Sequence, residues 1–185
     1  MRRSSGPVAT GLSLALFTLL AAAPLRARDV DPGVTQIAGQ TVSCRDVRGL
    51  VVHTMQVQNL GDVGRAGVVN RVPIIVIDPQ IINRLPDKLQ IFFFQHECGH
   101  HALGHWYSGG PDQEKEADCW AIRQERDSGH LSRDDVMSFA PFLAASGGSP
   151  FGHLPGPMRA RYLLRCFDEP GSAPPSASGL TASMP

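Results

Sequence analysis

The twelve residues from Gln95 to Trp106, QHECGHHALGHW, carry four histidines, one glutamate and one cysteine. They close a stretch in which Leu89, Phe92, Phe93, His96, His100 and Leu103 recur at spacings of three and four, the period of a helix with one face turned to a core. A helix from about Pro86 to Gly104 follows from that pattern. Two histidine pairs, His96 with His100 and His101 with His105, have the four-residue spacing that stacks side chains one turn apart. The pairs point in different directions, so they cannot serve one ligand together. Only the first has a carboxylate directly after its first histidine, Glu97.

His96-Glu97-Cys98-Gly99-His100 is the H-E-x-x-H pattern, in which two imidazoles hold a zinc ion and the glutamate between them takes a proton from the attacking water. Catalytic zinc usually has three protein ligands, so a third is required. The stretch EKEADCWAIRQERD supplies one, on a second helix expected from near Asp112 to Gly129. There Glu114, Ala117, Asp118, Ala121 and Ile122 share a face, an apolar stripe broken by two acids. Burying two carboxylates is costly unless a cation or donor compensates them. Glu114 is therefore expected as the third ligand and Asp118 as the acceptor for the free ring N–H of His96, which would fix its tautomer. Ala117 and Ala121 are small enough to let the helices approach, whereas Glu116 points away to solvent. His101 and His105 are read as surface or supporting histidines, and Cys98, opposite the ligands on its helix, as no ligand at all.

H-E-x-x-H followed by E-x-x-A-D resembles the gluzincin metallopeptidases, in particular the family of HtpX-like and CAAX-prenyl proteases and their periplasmic relatives. The resemblance spans about Leu89 to Ile122, with a fainter echo in HLPGPMRAR, where the family often has a histidine and a proline ahead of an arginine. It implies His96, His100 and Glu114 as zinc ligands, Glu97 as general base and Asp118 as the supporting aspartate. The short gap between the motifs, Cys98 and Cys119 are departures from the family. The metzincin pattern is excluded, because Leu103 and Trp106 stand where its glycine and third histidine would be. The expected function is a zinc-dependent endopeptidase acting on a peptide or protein substrate. The alternatives are an exported zinc protein with a binding or chaperone-like role that leaves Glu97 unused, or an enzyme of other amides or esters. For oxyanion stabilisation the candidate is His153, with Tyr107 or Tyr162 as substitutes. The strand Ile74 to Ile77 is the candidate for pairing with an extended substrate.

The N-terminus has the order of a secretory signal peptide, two arginines and then an apolar run from Val8 to Leu25 that ends in small residues, with a cut expected after Ala27. The expected division is a signal peptide over 1–27, a zinc metallopeptidase-like domain over 28–167 and a disordered, proline-rich tail over 168–185. Removing Arg2, Arg3 and Arg26 takes three of 17 basic residues and none of 17 acidic ones. A mildly acidic chain of this kind is a poor nucleic-acid binder, and without its leader it needs no membrane. A periplasmic or secreted location follows, and in such a compartment the four cysteines favour two disulfides. Of three possible pairings, Cys98 with Cys119 and Cys44 with Cys166 is expected, because Cys98 and Cys119 lie on the two helices that meet at the metal.

Elsewhere, VPIIVIDP, Val72 to Pro79, reads as a buried or edge strand, and its prolines suit an edge. A third helix should start at Ser132, with Asp135 completing a capping box, and run toward Ala145. A fourth should cover Met158 to Cys166. The fold class is α+β, a small mixed or antiparallel sheet packed on the zinc-binding helix in a zincin-like arrangement, with further helices covering it.

Overall fold

The computed structural model describes residues 33–105, 111–144, 146, 148 and 153–170. The expected leader, its cleavage site and nearly all of the expected tail lie outside these residues. Strands come first. β1 (Val34–Ile37) and β2 (Gln40–Ser43) form an antiparallel hairpin. β3 (His53–Gln56), β4 (Gly64–Val69) and β5 (Val72–Ile77) form a second sheet in the order β3-β5-β4. β4 and β5 are antiparallel across a tight turn at Asn70 and Arg71, both with positive φ, as the twist of a two-residue hairpin demands. β3 runs parallel to β5.

β5 is thus the central strand, which corrects the edge reading of VPIIVIDP and removes Ile74 to Ile77 as a site for an incoming chain. Its prolines do not interrupt the ladder, for positional reasons. Pro73 precedes the stretch paired with β3, which starts at Ile74, and Pro79 lies beyond the strand, in the first turn of a short helix α1 (Pro79–Ile82) capped by the Asp78 side chain. Among the described residues β4 pairs with β5 alone and forms one edge of this sheet.

Helix α2 (Asp87–Leu103) ends at Gly104 in the left-handed conformation, whose N–H reaches the carbonyls of His100 and His101. The sequence pattern assigns α2 one buried face, but the helix is buried on two. Leu89 and Phe92 pack with Ile122, Val136, Phe139 and Leu163 in a helical core. Ile91, Phe94 and Cys98 pack with Val52, Ile75 and Ile77 of the sheet side. Phe94 is fully buried, Phe93 only partly so, and Leu103 is exposed. Each buried aromatic removes enough apolar surface from water to contribute about 1.5–3 kcal/mol.

α3 (Pro111–Asp127) crosses α2 at Gly99 and Ala117, so closely that a Cβ on Gly99 would lie 3.2 Å from the Ala117 backbone. A larger residue would have to push the helices apart at this crossing, which falls between His96 and His100 on one helix and Glu114 and Asp118 on the other. The Ser132–Asp135 capping box is present, but the helix expected to follow it is broken into α4 (Arg133–Ser138) and α5 (Ala140–Ala144). α6 (Gly156–Asp168) then packs on α3, α4 and α5. The architecture is α+β, with two small sheets on one side of α2 and helices on the other.

The disulfides join Cys44 to Cys98 and Cys119 to Cys166, not the expected partners. The reason is the two-sided burial of α2. Cys98 faces the sheet side, where Cys44 follows β2, while Cys119 faces α6. The bridges therefore tie each metal-side helix outward to its own support and leave the seam between α2 and α3 to packing. Replacing both Cys44 and Cys98 by alanine frees a loop spanning 54 positions and is expected to lower the unfolding free energy by about 2–4 kcal/mol in urea denaturation. Two disulfides fit an oxidising compartment. No helix among the described residues is long and apolar enough to cross a membrane.

Candidate metal centre

One turn of α2 places the His96 and His100 rings perpendicular to each other with their Nε2 atoms 3.3 Å apart. The close crossing at Gly99 carries Glu114 of α3 to the same point. Its Oε2 lies 3.1 Å from His96 Nε2 and its Oε1 lies 3.4 Å from His100 Nε2. All three residues are buried. A tetrahedral ion that holds nitrogen and oxygen at about 2.0–2.1 Å needs its ligand atoms about 3.4 Å apart, and these separations come close to that figure. Glu114 Oε2 is buried without a hydrogen bond of proper geometry among the described residues, although imidazole nitrogens approach it. Lone pairs converging on one point are what a cation satisfies, so His96, His100 and Glu114 could hold a metal ion.

The opposite edge of each imidazole is also held. His96 Nδ1 lies 2.8 Å from Asp118 Oδ1, as the sequence anticipates for His96. Asp118 is in turn gripped by Arg159 of α6, whose Nε lies 3.1 and 3.0 Å from the two carboxylate oxygens and whose terminal nitrogen donates to Oδ1 at 2.6 Å. Arg159 is 5% exposed, and its guanidinium lies 5.6 and 5.4 Å from the Phe92 and Phe93 ring centres. Sequence reasoning missed this arginine. Its only signal was the echo in HLPGPMRAR, which contains two arginines and does not say which one turns inward.

His100 has a different support. Its Nδ1 lies 3.3 Å from His105 Nδ1, and His105 Nε2 lies 3.0 Å from Glu116 Oε2. His105 is thus a supporting histidine, and Glu116, exposed as expected, is its outer partner. Losing such a partner typically weakens metal binding 10–100-fold. For His105→Ala a rise of about that size in the metal dissociation constant is expected, measured by competition with a chelator of known affinity. His101 is neither a surface residue nor part of this chain. It is buried, and its Nε2 bonds the Ile74 carbonyl at 2.8 Å, fastening α2 to β5.

The protonation of the metal-free cluster follows from these contacts. Burial works against charge on His96, but Asp118 and then Glu114 outweigh it and raise its pKa to about 9. Burial likewise works against ionising Asp118, yet Arg159 and His96 hold it below the usual carboxylate range. Glu114 is lowered in the same way, burial being overcome by His100, His153 and His96. A cation entering the cluster has to displace the His96 proton, so binding is accompanied by proton release.

Glu97 is 4% exposed, with one carboxylate oxygen in a group that includes ring nitrogens of His96 and His153, all within 4.8 Å of one another. Its side chain runs beneath the start of β4, where a Cβ on Gly64 would lie 3.2 Å from Glu97 Cγ. Such a Cβ would press harder still on Ile77 and on the Val76 carbonyl, so Gly64 keeps room for β5 as well as for the glutamate, a role that neither motif reveals. His153, from the segment before α6, reaches the cluster with Nε2 at 2.9 Å from Glu114 Oε2. Tyr162 does not reach it. Its hydroxyl lies 3.3 Å from Cys119 Sγ, against the disulfide, which removes it as a substitute for His153. Tyr107 lies outside the described residues.

Neither the family models nor the curated proteins and solved structures compared with this chain give a match.

Proposed function

We propose that the chain is a zinc-dependent endopeptidase of gluzincin type, with a zincin-like arrangement of its sheet and helices, acting in the periplasm or outside the cell. The observation that carries the reading is the convergence of His96, His100 and Glu114 on one point, with Glu97 beside it. Two imidazoles and one carboxylate are a ligand set that suits zinc, and zinc held by them would polarise a carbonyl and acidify water. A purely structural site has no need of Glu97 and would close the fourth position with another ligand.

In this reading Glu97 accepts the proton of the attacking water and delivers it to the leaving amine. His153, across the cluster, donates a hydrogen bond to the oxygen that gains negative charge. Asp118, clamped by Arg159, keeps the Nδ1 proton on His96 so that Nε2 stays a ligand. The substrate backbone pairs with the edge strand β4, whose Ala66 and Gly67 line, with His100, His101 and His105, a hollow of about 10 Å³ over the ligand end of α2.

The test is metal dependence. The purified chain is expected to carry one zinc per molecule and to cleave casein, to lose cleavage on treatment with 1,10-phenanthroline and to regain it on zinc addition. Cleavage unchanged by the chelator, with the metal gone, would refute the reading.

A further inference from the structure

α6 buries Arg159, Ala160, Leu163 and Cys166. A different side carries Met158, Arg161, Tyr162 and Arg165, spaced by threes and fours as one helix face. With Leu154 and with Lys115 of α3, these residues line an open groove of about 370 Å³. Three of its six lining residues are cations and none is an acid. Arg165 is held against the groove wall, its guanidinium 5.1 Å from the Tyr162 ring centre. Lys115 pairs with Asp112, which is exposed and can yield it to a ligand. Arg161 is exposed and has no carboxylate partner among the described residues.

The position of the groove suggests what it is for. Lys115 directly follows Glu114, and Leu154 directly follows His153, the two residues whose side chains meet at 2.9 Å in the cluster. On two segments, then, a groove residue is the chain neighbour of a cluster residue.

We infer that the groove receives an acidic side chain of the peptide substrate, close to the bond presented to the cluster. Leu154 and Met158 offer apolar surface to the methylenes of a glutamate. Arg161 and Arg165 offer planar donor forks to its carboxylate, the geometry that arginine matches best. A membrane surface is a poorer fit, since an interfacial helix must present a broad apolar face and the small and apolar residues Ala160 and Leu163 of α6 are turned inward. The inference takes the word substrate from the peptidase reading, but binding itself does not depend on turnover.

The test measures binding by fluorescence anisotropy with labelled alanine-rich decapeptides, one bearing three glutamates and one three lysines, on the mature chain carrying Glu97→Gln to stop cleavage. The glutamate peptide is expected to bind about tenfold more tightly, and Arg161→Glu with Arg165→Glu to remove that difference. Both residues are exposed, and the milder pair Arg161→Gln with Arg165→Gln, with circular dichroism as a check on folding, should give an intermediate loss. Equal affinity for the two peptides, a preference untouched by either double variant, or loss in the variants of binding to phosphatidylglycerol vesicles alone would overturn the inference. Glutamate-peptide binding without hydrolysis by the unmodified chain would sink the peptidase reading and leave the groove standing. Hydrolysis without any charge preference would do the reverse.

Discussion

Glu97→Gln is expected to lower kcat/KM for peptide hydrolysis by about 10²–10⁴ while leaving the bound zinc in place. Glutamine keeps the size and much of the polarity of the side chain, so the packing under Gly64 is preserved, but it cannot accept a proton at neutral pH. The proposed ligands His96, His100 and Glu114 are untouched, and metal analysis of the variant should match the parent. The effect should appear in kcat more than in KM, because proton transfer belongs to the transition state and not to substrate binding. Full activity in this variant would remove the proposed mechanism. Zinc binding without hydrolysis in the parent itself would favour the alternative of an exported zinc protein without catalysis.

Arg159→Met should be the most destabilising single substitution near the site, costing about 3–5 kcal/mol in urea unfolding of the metal-free protein. The change removes one partner of a buried pair and leaves the Asp118 carboxylate with the His96 imidazole alone to compensate it. Asp118 is 1% exposed, so water cannot replace the lost donors. Methionine fills much of the same volume between Phe92 and Phe93, which confines the loss to the electrostatic term. Arg159→Lys should recover little, since one ammonium cannot reproduce the three contacts that the guanidinium makes to Asp118. A second effect separates this residue from a merely structural one. With Asp118 free to turn, the His96 tautomer is no longer fixed, and zinc affinity should fall about 10–100-fold. An Arg159→Met protein as stable as the parent and binding zinc equally well would show that the clamp has no role.

The order in which the site becomes legible along the chain reflects the range of the forces involved. Within a helix, backbone geometry alone puts His96 and His100 one turn apart, and it groups Glu114 with Asp118, so these residues could be read from spacing and from the cost of burying two acids. The Ser132–Asp135 cap is local in the same sense. Arg159 and His105 are different, because each acts across elements, through a contact whose partner lies 41 or 11 positions away. No periodicity encodes such a contact. Gly64 and Gly99 are recognisable only once a second element is seen pressing on them.

The chain's own sequence determined where α2 and α3 form, that His96 shares a face with His100 and Glu114 with Asp118, and that a pair of imidazoles and a carboxylate should meet, since each of these follows from a repeat of 3.6 residues and from solvation. Only the tertiary structure decided that β5 runs in the middle of its sheet, that α2 is buried on two sides and that Cys98 therefore bonds to Cys44 instead of Cys119. Those outcomes depend on which surfaces are covered by distant parts of the chain, and coverage is a property of the packed whole.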